Sequence, residues 1–206
     1  TLLGGERSML ATLPAVAAAG FDVHVAAPLG GALVEELTER GISHLPLRTH
    51  DDRGERLQLP ELRPELIALI RRHRPDLVHA NSLTMARIAG PAAAECKVAS
   101  LGHLRDIIKI SQQGVADLNS HRLLVAVSEA TRNFHVGQGL DGRKCVVAYN
   151  GVDLDEFQPR SPTGYLHREL NLSASARLIA TIGQLGLRKG TDVVLTAAAV
   201  VAENVP

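Results

Sequence analysis

VAYNGVDLDEF, residues 147–157, divides this chain. The apolar run KCVVA from Lys144 leads into it with the composition of a buried parallel strand, and Asn150-Gly151, followed by Asp153 and Asp155, ends that strand abruptly. Upstream, strand-like and helix-like segments alternate; downstream, PRSPTG from Pro159 precedes a fresh apolar run. The stretch therefore reads as a seam: a first domain over 1–152, a linker over 153–163, and the start of a second, incomplete domain over 164–206. Function is expected where the two halves meet.

Working back from the seam, each strand predicted upstream is followed by a helix pattern. FDVHVAAP from Phe21, ISHLPL from Ile42, PDLVHAN from Pro75, KVASLGHLRD from Lys97 and Leu123–Val127 read as strands. Between them lie helix patterns at Glu6–Ala19, with Pro14 kinking it or marking its start, at GGALVEELTERG from Gly30, and at PELRPELIALIRRHR from Pro60. SLTMARIAGPAAAE from Ser82 reads as a helix interrupted at Gly90-Pro91, and a further helix is expected to follow Asp106 and run through Val115. Ser128 reads as an N-cap, with Glu129 in the first turn of the helix it opens. His50–Leu59 is charged and aperiodic, a loop. No hairpin signal interrupts the alternation, so the fold class is α/β: a Rossmann-like parallel sheet with helices on both faces, then a second Rossmann-like domain.

At the start, Gly4-Gly5 has the look of a loop after a strand, with only Thr1 to Leu3 left to supply that strand, as if the N-terminus were cut. Past the seam, TGYLHRELNL reads as a short helix, RLIATIGQL from Arg177 as a strand and KGTDVVLTAAAVVAEN from Lys189 as a helix. A stub of this kind buries little core of its own, and its strand is expected to be an exposed edge.

Composition excludes several classes. Lys plus Arg and Asp plus Glu number 22 each, so no overall field recruits nucleic acid or an anionic membrane. Two cysteines, Cys96 and Cys145, lie in or beside apolar runs, which fits a reducing compartment and core packing. No apolar run approaches the roughly 18 residues of a membrane span. The histidines show no metal spacing, and no nucleophile elbow is present.

In open parallel sheets ligands bind beyond the carboxyl ends of the strands. The polar residues there are Gly4 and Gly5 (in glycine's case, backbone that a ligand can approach), His79, Asn81, His103, Arg105, Asp106, Ser128, Asn150 and Gly151, and past the seam Gln184, Arg188, Lys189 and Gly190. Gly4-Gly5 serves either as a tight turn or as backbone open to a phosphate at a helix N-terminus. Lys189, at a helix start, is a phosphate contact or a solvated cap. His79 either orients a loop or contacts a ligand, and Arg105 and Asp106 pair with each other or with helix ends. The residues alone support an anion site between two domains and name no reaction.

Taken in order, LGGERSM, PDLVHAN, HLRD, VAVSEATRN, VVAYNGVDLDEFQP and IGQLGLRKGTDVVL resemble the glycosyltransferases of family 4, the group 1 family of the GT-B fold, along nearly the whole chain. The resemblance implies two Rossmann-like domains, a nucleotide sugar held mainly by the second, an acceptor held mainly by the first, and transfer in the cleft with retention and without an essential metal or cofactor. It makes Gly4 and Gly5 the loop at the donor diphosphate, Lys189 and Arg188 the cations that neutralise it, and His103 or Arg105 the catalytic residue near the transferred sugar. His79, Asn81, Asp106, Ser128, Asn150, Gly151 and Gln184 would line the cleft. The implied partners are a nucleotide-sugar donor and a carbohydrate, lipid-linked or small-molecule acceptor, with no nucleic acid, in the cytoplasm or in peripheral contact with the inner face of its membrane.

Three departures stand against this pattern. Gln184 occupies a position where the family usually has Arg, the glycine loop lacks its usual alanine, and Arg105-Asp106 stands where His-Asp is frequent. The family's acidic motif would lie beyond Pro206, so the isolated 206 residues are expected to be inactive. Two other readings remain: a nucleotide-sugar epimerase of the GT-B fold, and a non-catalytic binding module derived from it.

Overall fold

A computed structural model describes residues 2–204, the Arg188 side chain excepted. The chain forms two compact units, Thr1–Asp153 and Leu154–Pro206.

In the first unit the elements run α1 (Gly4–Ala18), β1 (His24–Ala27), α2 (Ala32–Glu39), β2 (Ser43–Pro46), α3 (Leu59–His73), β3 (Leu77–Ala80), α4 (Leu83–Glu95), β4 (Ala99–Leu104), α5 (Gln112–Asn119), β5 (Leu123–Ala126), α6 (Glu129–Gly137) and β6 (Cys145–Val147). Every strand pairing among them is parallel, as strands joined through helices require. The strands form two ladders rather than one, β1-β2 and β3-β4-β5-β6. Leu2 and Leu3, expected in a first strand, form no ladder: the Leu3 N–H donates to Glu6 Oε2 at 3.1 Å and closes the start of α1. Among the described residues β1, β2, β3 and β6 each pair along one edge only.

The main core lies on the face of the larger sheet that carries Leu104, Leu124, Ala126 and Cys145, against Leu83, Ala86, Ile88, Ala89, Ala92 and Ala93 of α4 and Leu62, Leu66 and Ile70 of α3. Burial alternates along β4, with Ser100, Gly102 and Leu104 inside. The other face is more open, with Leu77 and Val146 41% and 45% exposed. A smaller core joins Leu10 of α1, Val25 of β1 and Leu37 of α2.

Two helix boundaries differ from the sequence reading. α4 runs unbroken through Gly90-Pro91. A proline inside a helix costs about 3 kcal/mol, but burying each large apolar side chain returns about 1.5–3 kcal/mol, and this helix buries Leu83 and Ile88 together with four alanines. Gly90 is itself a packing requirement, because a Cβ there would stand 2.5 Å from Ser120 Oγ and 2.7 Å from the Asp117 carbonyl oxygen. Gly90→Ala is therefore expected to destabilise the fold by about 1–3 kcal/mol through overpacking, read as a lower urea midpoint. The helix expected to follow Asp106 begins only at Gln112, where Ser111 Oγ caps it by accepting from Gly114 N at 3.1 Å. The Ile110 N–H just before it donates to Gln138 Oε1 at 3.0 Å, so this amide is satisfied by a side chain rather than by a helical carbonyl. α1 likewise continues through Pro14.

The second unit contains α7 (Tyr165–Glu169), a 3₁₀ turn (Leu187–Lys189) and α8 (Thr191–Asn204). The strand expected from Arg177 does not form: residues 177–182 have no ladder, and Ile179 and Ile182 are 86% and 97% exposed. A strand needs a neighbour for its N–H and C=O groups, and among the described residues this unit holds none. None of its described residues is buried. Among the described residues no helix is long and apolar enough to cross a membrane.

Candidate functional site

The carboxyl ends of β3 and β4 bring together residues from four stretches of the first unit. Asn81 follows β3 and donates from Nδ2 to the Gly5 carbonyl at 3.0 Å, tying the first turn of α1 to the strand end. Arg105 follows β4, and its side chain turns back over the same region. Its Nε donates to the Asn81 carbonyl at 2.9 Å. Nη1 donates to Ser8 Oγ at 3.3 Å and Asn150 Oδ1 at 3.2 Å. Nη2 donates to Asn81 Oδ1 at 2.8 Å and meets His103 Nδ1 at 3.3 Å. Ser8 Oγ completes the ring of contacts by donating to Asn150 Oδ1 at 3.0 Å.

Gly5 matters here for closeness. A Cβ on it would lie 3.7 Å from Arg105 Cδ and 3.9 Å from Asn81 Nδ2, ordinary contacts that would nonetheless fill the space between α1 and the arginine. Gly4 and Gly5 are the first residues of α1, not a loop before it, and Gly4 has open space where a side chain would be.

His103 points from β4 onto the same face as His79 of β3, and the two rings stack with centroids 5.6 Å apart and planes 25° apart. Burial, then the Arg105 charge, then His79 push the His103 imidazole down to about 4 from 6.5. His79 is lowered in the same order of causes, crowding of its ring first and Arg105 second, although the residue keeps an exposed edge. Partial burial also lowers Arg105 against the raising pull of Glu6 and Asp106. His103 Nε2 is buried and meets no hydrogen-bond partner.

These shifts set a sign for pH dependence. A histidine whose folded value lies below its unfolded one stabilises the fold fully above the unfolded value and loses that contribution as the pH falls toward the folded value. Thermal stability is therefore expected to decline as the pH drops from about 6.5 toward about 4, where His103 takes up its proton. The buried His121, also lowered, acts in the same direction. Melting temperatures measured across that range check it: an acid-stable plateau down to the carboxylate range would contradict the lowered histidines.

Other expected residues stand apart from this cluster. Ser128 is the N-cap of α6, accepting from Thr131 N at 3.1 Å. Asp106 is exposed, and its backbone carbonyl accepts from His135 Nε2 at 2.9 Å. Gly151 is exposed with open space around it. Gln184 and Lys189 belong to the second unit, where both are exposed and Lys189 ends the 3₁₀ turn before α8. The Arg188 side chain lies outside the described residues. Ser8 was not anticipated, although it lies one turn beyond Gly4-Gly5 on α1 and so on the same helix face. Among the described residues no three His, Cys, Asp or Glu side chains gather as a metal site would require.

The family model for Glycosyltransferase Family 4 matches residues 3–156, a span that takes in α1, all six strands and the Arg105 cluster. The chain belongs to glycosyltransferase family 4. No curated protein matches this family 4 chain. Among solved structures it is similar to HepE of Anabaena in complex with UDP-glucose, at 20% identity and a TM-score of 0.73, over 97% of this chain and 54% of that one. A glycosyltransferase of Rickettsia africae ESF-5 aligns at 19% identity and a TM-score of 0.62, covering 85% and 48% of the respective chains. MurG of Acinetobacter baumannii aligns at 15% identity and a TM-score of 0.55, covering 73% and 42%. These likenesses show the GT-B, Rossmann-like fold, and the family 4 chain spans about half the length of the structures it matches.

Proposed function

We propose that the full-length protein transfers a sugar, of hexosyl type, from a nucleoside-diphosphate-sugar donor to a carbohydrate, lipid-linked or small-molecule acceptor, with retention and without an essential metal or cofactor. The observation that carries this reading is the Arg105 cluster: in a family 4 chain, it gathers Gly5, Asn81, His103 and Asn150 at the carboxyl ends of the strands, where parallel sheets take ligands. HepE, similar in fold, is described in complex with UDP-glucose and with UDP and glucose, which supports a nucleotide sugar as donor.

The chemistry asked of the first unit is electrostatic and steric. Gly5 keeps the backbone at the start of α1 open to a diphosphate, whose charge the helix N-terminus favours. His103, neutral over the physiological range, supplies a hydrogen-bond donor without adding charge. No side chain of the cluster is poised as a nucleophile, Ser8 Oγ donating to Asn150 rather than to a base, which suits attack by the acceptor on the face the nucleotide leaves. Lys189 and Arg188 would neutralise the departing diphosphate.

Gln184 favours a second reading, a binding module that has lost part of the diphosphate site. Calorimetric titration of the full-length protein with UDP-glucose, UDP and glucose separates the two. The transferase reading expects saturable binding of UDP-glucose and UDP, with glucose alone far weaker; no binding of either nucleotide would count against a donor site.

A further inference from the structure

Arginine carries five N–H donors and no acceptor. In Arg105 each of the five meets a different protein atom: the Asn81 carbonyl, Ser8 Oγ, Asn150 Oδ1, Asn81 Oδ1 and His103 Nδ1. A ligand oxygen can claim one of these donors only by displacing an internal partner. The last contact constrains histidine as well. Since the guanidinium can only donate, His103 Nδ1 must accept, and a neutral imidazole that accepts at Nδ1 bears its proton at Nε2. The other tautomer would set two N–H groups against each other at 3.3 Å.

We propose that Arg105 is a positioning residue whose guanidinium fixes His103 in the tautomer protonated at Nε2, so that this N–H, and not the arginine, is the donor offered to an oxygen of the nucleotide sugar. The tautomer follows from the first unit alone; the ligand half rests on the proposed transferase function. Nε2 is the one nitrogen of the His103 and Arg105 side chains that has no partner, and it is buried. A buried donor left unmet is disfavoured, and it is met once an acceptor arrives. The His79 ring stacks against that of His103, and His79 itself is exposed. Asn150 and Ser8 hold the opposite end of the guanidinium, so the lock on His103 is braced from α1 and from the residues after β6.

The test is nitrogen NMR on the full-length protein labelled with 15N-histidine, with His103 assigned by the signal lost in His103→Gln. The wild-type protein at neutral pH is expected to show a protonated Nε2 and a bare Nδ1. Arg105→Met is expected to let the proton distribute over both nitrogens, and Arg105→Lys, with three donors instead of a planar five, to lie between. A wild-type proton on Nδ1 would overturn the proposal, as would an Arg105→Met spectrum identical to wild type. The wild-type measurement decides even if that variant does not fold. Saturation with UDP-glucose is expected to shift the Nε2 and attached-proton signals while the tautomer holds. An unshifted Nε2 in a saturated sample would remove the donor role and leave the lock standing; failure of UDP-glucose to bind at all, seen in the same titration, would count against the transferase function while the wild-type tautomer still decides the lock.

Discussion

His121→Ala is expected to lower the stability of the fold by about 3–5 kcal/mol, the sum of a cavity and of polar groups left without partners. His121 is fully buried between the α4 helix and β4. Its Nε2 donates to the Ala86 carbonyl at 2.8 Å, which leaves Nδ1 to accept from Ser100 Oγ at 2.9 Å. Packing around it is equally tight, since a Cβ on Gly102 would fall 2.9 Å from Nε2. Burial lowers the ring's proton affinity and the Ala86 bond raises it, so the imidazole works as a neutral bridge rather than as a charge. Removing it opens a hole at the centre of the main core and strands a buried serine hydroxyl. Urea denaturation reads the loss as a shifted midpoint at constant slope; a change below about 1 kcal/mol would mean that the site collapses without penalty.

Lys189→Ala in the full-length protein is expected to weaken nucleotide-sugar binding about 10- to 150-fold, the equivalent of one charge-assisted hydrogen bond of about 1.5–3 kcal/mol. The lysine ends a 3₁₀ turn, and Gly190 after it takes φ +66°, a left-handed conformation suited to glycine that lets the chain turn directly into α8. An ammonium and the free N–H groups of a long helix's first turn are thereby placed side by side in sequence, both favouring an anion. Lys189→Arg should keep most of the affinity. An unchanged dissociation constant in Lys189→Ala would exclude this lysine from the diphosphate and strengthen the binding-module reading that Gln184 suggests.

Much of the first unit was legible because its signals are local. Apolar runs of four to six residues with helix periods between them gave the parallel alternation, and Ser128 announced α6 as a capping residue does. The misplaced boundaries all involve tertiary forces. Gly90-Pro91 reads as a break, yet the helix survives because it is buried on nearly all sides and because α5 packs where a side chain would be. At the delayed start of α5 it is Gln138, far along the chain, that satisfies the Ile110 amide. In the second unit Arg177–Leu185 has a strand's composition but no ladder among the described residues, and composition alone does not make a strand.

The site was legible as a list and not as an arrangement. Asn81, His103, Arg105 and Asn150, nominated one by one from strand ends, fall beside one another, since topology brings such ends together. The division of labour between His103 and Arg105 was beyond the sequence, because it turns on counting donors and acceptors that only the folded contacts pair. Ser8 was missed for a similar reason: a serine one turn into a helix has no distinguishing pattern until its hydroxyl is seen bridging Arg105 and Asn150.

The most direct test of the central claim is the product made by the full-length protein from a nucleotide sugar. Incubation with UDP-glucose and a set of candidate acceptors, followed by phosphorus and proton NMR, distinguishes the outcomes in one sample. Glycosyl transfer predicts release of UDP together with a new glycoside that keeps the donor's anomeric configuration. A sugar epimerised at a ring carbon while still attached to an intact diphosphate would contradict it and make the protein an epimerase of the same fold.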